Sequence, residues 1–268
     1  MISYLSRNLE GNQNKPLVLL LHAFPLNAEM WLPTLILFGN KDWPILAPTV
    51  YGTNGSEEKK NWNFTQYASE LIELARYIGY QKVIPIGVSM GGYVAFEILR
   101  SESESIAGLV LCNTKGESDT EEGKKQRDSL IKQIEERGNQ VCIEQNLPKL
   151  LGHTTKTNNP ELSIDLGSLI KTNRKTSLIE QIKALKNRND STELMKGIKQ
   201  PTLVIAGNED ELMSPEVVKK IYEGIPETTK KEFIEIQKSG HLSVLEQPEH
   251  FHRSVEKFIE PFMNSMWD

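Results

Sequence analysis

Residues 83–99 read VIPIGVSMGGYVAFEIL. An apolar run ends at a serine set among Gly87, Gly91 and Gly92, and the chain resumes with GYVAFEILR, whose apolar residues fit a helix. The stretch predicts a buried strand, a tight turn and a helix, with Ser89 at the turn. Glycine leaves room for strand and helix to approach closely, and the helix start aims free backbone N–H groups at the turn. Gly87-Val88-Ser89-Met90-Gly91 has the form G-x-S-x-G. The pentapeptide alone is weak evidence, but a strand before it and a helix after it form the context in which such a serine is held out for attack.

Working outward, short β-rich runs alternate with helical patterns, which predicts a mostly parallel sheet with crossover helices. PLVLLLHAF (16–24), WPILAPTV (43–50), KVIPIGVS (82–89) and IAGLVLCNT (106–114) read as strands, and ISYLSRNLEG (2–11) as a strand and turn. Phe64, Tyr67, Ala68, Leu71, Ile72, Ala75 and Ile78 fall on one helical stripe that Gly79 closes. Residues 115–195 hold no buried strand pattern and read as an inserted helical module; the charge run at 117–128 reads as a solvated or mobile segment. Strands resume at PTLVIAGNED (201–210) and KKEFIEIQ (230–237). A helix starts at Ser214-Pro215, and a closing helix carries Phe251, Val255, Phe258, Ile259 and Phe262.

A serine hydroxyl needs a base. Of the five histidines, His241 lies in a loop after the last strand, at the sheet edge Ser89 should occupy, whereas His22, His153, His250 and His252 read as surface or packing residues. The base in turn needs a carboxylate to fix its tautomer. Asp210 follows a buried strand at the same edge, with Glu209 its rival by adjacency; Asp119, Asp128, Asp165 and Asp190 lie in the insert and read as solvated. Ser89, Asp210 and His241 follow the nucleophile–acid–base order. The Met90 N–H and a backbone donor from HAFPLN (22–27), assigned to Phe24, are placed for a developing oxyanion; Pro25 cannot donate.

The chain has 268 residues and formal charge −5 with interspersed signs, which argues against nucleic acid as a partner. The two cysteines, Cys112 and Cys142, make no disulfide framework or metal spacing and read as buried hydrophobes in a reducing compartment. The first twenty residues lack a signal-peptide pattern, and the longest apolar run is far shorter than the ~20 residues that span a bilayer. The expectation is a cytoplasmic protein with no membrane partner.

LLLHAFPLN, VIPIGVSMGGYVAFEIL, PTLVIAGNEDELMSPE and SGHLSVLEQPEHF together resemble the α/β-hydrolase family, in particular its compact capped lactonases and methyl esterases. The resemblance implies a mostly parallel, doubly wound, eight-stranded α/β sheet. It implies a core from residues 1–114 and 196–268, and residues 115–195 as a helical cap. It also implies Ser89 as nucleophile, His241 as base, Asp210 as orienter, Phe24 and Met90 as oxyanion donors, and no cofactor or metal. The expected partner is a small-molecule ester, thioester or lactone. Alternatives are a small-ligand receptor with little turnover, or a perhydrolase, C–C hydrolase or lyase using the same triad. The serine argues against the dehalogenase and epoxide hydrolase members, which carry an aspartate nucleophile. Two departures stand out: Ala23 replaces a glycine, and Thr49 replaces the aspartate of an A-P-D-x-x-G-x-G-x-S segment. Asn113 occupies the position where some members place their acid.

Overall fold

The continuous apolar runs become the inner strands of one sheet. The computed structural model describes residues 1–265. Its strands are β1 (Tyr4–Arg7), β2 (Leu17–Leu21), β3 (Ile45–Pro48), β4 (Val83–Val88), β5 (Leu109–Cys112), β6 (Thr202–Gly207) and β7 (Lys231–Ile236), in the order β1-β3-β2-β4-β5-β6-β7. Only β1 runs antiparallel, against β3. Every residue of β2 through β6 is buried, as expected where helices cover both faces of a parallel sheet. The edges β1 and β7 are partly exposed, and β7 presents Glu232 and Glu235, charges that discourage pairing with another chain.

Seven strands form the sheet among the described residues, not the eight that the resemblance implies. The seven are those that the apolar runs themselves predict. The chain ahead of β2 supplies a single short strand and then turns, so no further edge strand forms beside β1.

The strand order reverses between β2 and β4, since β3 lies on one side of β2 and the following strands on the other. Such a reversal opens a crevice at the carboxyl ends of the two strands. The predicted helix at 64–78 spans Phe64–Tyr77; Asn63 caps it by accepting from Gln66 N–H at 2.8 Å. It ends with Tyr80 N–H on Ala75 C=O and Gly79 N–H on Arg76 C=O, Gly79 having φ +98°. This paired closure satisfies the last carbonyls.

Between β5 and β6 the chain forms only helices: Glu121–Arg137, Gln140–Leu150, His153–Asn158, Pro160–Lys171, Lys175–Lys186 and the short Thr192–Met195. The charged run at 117–128 is not wholly solvated. Asp119 is largely buried, pairing with Arg127 Nε at 3.0 Å and Arg188 Nη1 at 2.6 Å. Arg188 stacks over the Tyr93 ring at 4.4 Å, so this pairing ties the insert to the helix Met90–Glu102.

The closing helix, Pro248–Met263, buries Phe251, Val255, Phe258 and Ile259 of the predicted stripe, leaves Phe262 half-buried, and also buries His252, whose Nε2 meets Thr34 Oγ1 at 2.8 Å. Burial lowers the His252 pKa to about 4, with Glu256 opposing. The unfolded chain therefore takes up a proton near pH 6.5 that the folded chain refuses until about pH 4.

Gly91→Ala places a Cβ 2.1 Å from the Leu21 carbonyl oxygen, whereas Gly167→Ala meets nothing nearer than 3.5 Å. Urea unfolding should show Gly91→Ala losing roughly 3 kcal/mol or more, and Gly167→Ala gaining about 0.5–1 kcal/mol from helix propensity. The His252 contribution is intact above pH 6.5 and lost as pH falls toward 4. His252→Gln should flatten the fall in stability across that window, by at most about 3 kcal/mol.

Candidate active site

β4 ends at Val88 and the helix Met90–Glu102 begins at once, leaving Ser89 alone to reverse the chain. Ser89 has φ 54° and ψ −112°, a conformation that costs a non-glycine residue roughly 1–3 kcal/mol. The turn is held from several sides. Ser89 N–H donates to Cys112 C=O at 2.9 Å, and its carbonyl accepts from Thr114 Oγ1 at 2.8 Å. A Cβ on Gly87 would lie 2.4 Å from the Gly91 oxygen, and one on Gly92 would lie 2.5 Å from the Thr114 side chain. The glycines are therefore the condition for the strand, the helix and the β5 loop to meet here.

Asp210 and His241 meet at the neighbouring part of the same sheet edge. β6 and β7 are paired in parallel, so the loops leaving them emerge together. Gly207 and Gly240 let those loops touch: a Cβ on Gly207 would lie 2.1 Å from the Gly240 oxygen. His241 Nδ1 then lies 2.7 Å from Asp210 Oδ2, with both side chains buried. The Asp210 carboxylate accepts four hydrogen bonds. Oδ1 takes the N–H groups of Leu212 at 2.8 Å and Met213 at 2.9 Å; Oδ2 takes His241 and the Asn113 amide at 2.9 Å. Burial alone would raise its pKa, but the His241 charge and these donors hold it below the usual carboxylate range.

Glu209 faces elsewhere. Its carboxylate accepts from Thr154 N–H at 2.7 Å and Thr154 Oγ1 at 2.5 Å, fastening the insert to the β6 loop. Asp210 thus holds the histidine and its rival does not. Ser89 and His241 lie on one sheet edge, yet in this conformation Ser89 Oγ makes no hydrogen bond to His241, and Nε2 has no partner among the described residues.

Phe24 follows β2 and Met90 opens the helix after β4, so both flank the crevice at the strand reversal. As the first helical residue, Met90 has no intrahelical acceptor for its N–H. His22 has a larger part than packing. Its Nε2 accepts from Val50 N–H at 3.2 Å while Nδ1 faces Ala23 C=O at 3.0 Å, so the neutral ring, its pKa lowered to about 4 by burial, latches two loops together. Thr49 keeps its segment in place: its Oγ1 accepts from Ala28 N–H at 3.2 Å and its carbonyl from Ser56 Oγ at 2.7 Å. His153 begins an insert helix and His250 is exposed.

Asn113 is the residue whose part the sequence conceals. Its amide N–H donates to Asp210 and to Gly240 C=O at 3.2 Å, and its oxygen accepts from Ser243 Oγ at 2.9 Å. The available signal was its place directly after a buried strand, with no charge. Cys112 and Cys142 are free and buried. Among the described residues no three His, Cys, Asp or Glu are grouped to hold a metal ion, and no helix is long and apolar enough to cross a membrane.

A family model of the alpha/beta hydrolase fold matches residues 16–248. An esterase from Thermogutta terrifontis superposes with a TM-score of 0.91 at 26% identity, covering 98% of this chain and 94% of that one. A 3-oxoadipate enol-lactonase from Acinetobacter baylyi is 21% identical over 94% of this chain and 91% of its own length. A fluoroacetate dehalogenase from a Burkholderia species is 28% identical over 36% of this chain, which spans only 33% of that relative. With a strained serine between β4 and its helix and a buried aspartate–histidine pair beside it, the chain belongs to the α/β-hydrolase fold family.

Proposed function

We propose that the protein is a serine hydrolase that cleaves a carboxylic ester, thioester or lactone of a small molecule through an acyl-enzyme. The observation that carries this reading is the buried Asp210–His241 bond at 2.7 Å. It engages Nδ1 and leaves Nε2 free on the sheet edge that carries Ser89. In the reaction, Nε2 takes the Ser89 Oγ proton as Oγ attacks the carbonyl carbon. The carbonyl electron pair moves onto oxygen, which rests on the Phe24 and Met90 N–H groups; such donors contribute roughly 3 kcal/mol each. Collapse breaks the bond to the leaving group, which His241 protonates. His241 then deprotonates water, which attacks the acyl carbon; collapse breaks the bond between the acyl carbon and Oγ, the acid departs, and the His241 proton returns to Ser89 Oγ. Asp210 stays ionised and stabilises the charged imidazole. The missing Ser89–His241 hydrogen bond is compatible with this, since such contacts tighten once substrate is bound.

Residues 115–195 are assigned as a cap over a core of 1–114 and 196–268, supported by their all-helical character and by the Glu209 and Arg188 fastenings. Displacement of halide is disfavoured by the nucleophile itself. A serine alkylated at Oγ is an ether with no acyl carbon for water to attack, so the enzyme would stop after one turnover.

A fluorophosphonate probe should label Ser89 in the native protein and not in Ser89→Ala, and the variant should lose at least about 10⁴-fold in kcat on an ester panel. Full esterase activity in Ser89→Ala would end this reading. Asp210→Asn should lower kcat by about 10³–10⁴-fold, while Glu209→Gln should stay within about threefold, because Glu209 bonds the insert and not the histidine.

A further inference from the structure

The turn that carries Phe24 is held from the insert as well as from the core. Asn173 lies between the insert helices Pro160–Lys171 and Lys175–Lys186, and its Nδ2 donates to Pro25 C=O at 2.7 Å. Asn173 is 2% exposed, and its Oδ1 has no partner among the described residues, so the bond to Pro25 is the one its side chain makes. An apolar residue would fill that space without leaving an amide oxygen unpaired, so packing does not account for it. The Asn173 backbone is pinned in turn: its N–H donates to Ile170 C=O at 3.2 Å, and its C=O accepts from the Asn139 side chain. Ser177 and Gln181, one helical turn apart and also buried, extend the attachment. Ser177 Oγ donates to Tyr51 C=O at 2.9 Å and Gln181 Nε2 to Thr53 Oγ1 at 3.2 Å, in the loop after β3.

The bond to Pro25 is passed to Phe24 through two peptide groups. Pro25 C=O shares its peptide with Leu26 N–H, and Leu26 N–H donates to Ala23 C=O at 2.9 Å. Ala23 C=O shares its own peptide with Phe24 N–H. A trans peptide is planar with its N–H opposite its C=O, so fixing Ala23 C=O fixes the direction of Phe24 N–H. Phe24 is buried, yet its N–H makes no hydrogen bond with any described residue. A buried donor left open is rare, and an oxyanion would complete it. The three amide groups are joined head to tail, and each bond in such a chain polarises the next.

On the serine-hydrolase reading, we propose that Asn173 is a positioning residue: acting from the insert through Pro25, Leu26 and Ala23, it aims Phe24 N–H at the developing oxyanion. The insert thereby contributes to transition-state stabilisation through a turn of the core.

Phenyl acetate and its thionoester, with C=S in place of C=O, test this. Sulfur is the weaker acceptor, so the kcat/KM ratio of oxoester to thionoester reports how well the oxyanion donors are aimed. Asn173→Leu should lower that ratio about tenfold, by slowing the oxoester while leaving the thionoester within about threefold. The ratio is blind to the amount of folded enzyme, because the same molecules cleave both esters. Glu209→Ala, which frees the insert at its Thr154 attachment instead, should leave the ratio unchanged. A second arm needs no turnover. Hydrogen exchange at Leu26 N–H, followed by NMR, should quicken about tenfold or more in Asn173→Leu and not in Glu209→Ala. Equal losses on both esters in Asn173→Leu, an equal fall of the ratio in Glu209→Ala, or unchanged exchange at Leu26 would each overturn the proposal. A wild type that takes no fluorophosphonate label and cleaves neither ester would instead overturn the serine-hydrolase reading. The exchange rate at Leu26 would then decide by itself whether Asn173 anchors the turn.

Discussion

The site depends on how closely the helix Met90–Glu102 approaches the ends of β2 and β4. Gly91 lies so near the Leu21 carbonyl that a methyl group would overlap it at 2.1 Å. That approach forces Ser89 into a conformation an L-residue resists. The neighbours that hold it there come from β5, through Cys112 C=O and Thr114 Oγ1. A serine on a relaxed turn would be free to rotate away; here the backbone is fixed before any substrate arrives, so its positioning entropy is already spent.

The aspartate–histidine pair is built on the same plan with different parts. Gly207 and Gly240 bring two loops into backbone contact, and Asp210 then collects four donors in a buried place. The opposing tendencies are burial, which favours a neutral carboxyl, and the His241 charge with the backbone and Asn113 donors, which favour the carboxylate; the latter prevail. Glu209 and Glu246 attach the insert to this region, since Gly152 N–H donates to Glu246 at 2.8 Å. The helical insert is thereby tied to the loops carrying Asp210 and His241.

Much of this was legible in the residues. Strands at 17–21, 83–88 and 202–207 announce themselves as unbroken apolar runs because both sheet faces are covered. The helix at 64–77 shows a clean stripe and a glycine closure. The placement of Ser89, Asp210 and His241 after the carboxyl ends of β4, β6 and β7 was readable, because each follows a recognisable strand. The eighth strand came from resemblance, not from any run of residues. Asp119 was misread as solvated, and the part of Asn113 stayed hidden, for one reason: a polar side chain's worth is decided by partners distant in sequence. Asn113 works through Asp210 and Ser243, and Asp119 through Arg188.

By itself the sequence determined the order of elements, the inner strands, the helical insert and the three residues set at strand ends, since local periodicity and turn chemistry act over a few neighbours. Only the tertiary structure decided that Asp210 and not Glu209 faces the histidine, that His22 latches two loops, and that Asp119 pairs with Arg188. Those outcomes depend on desolvation and on hydrogen bonds between segments far apart in the chain, and no local pattern of residues encodes them.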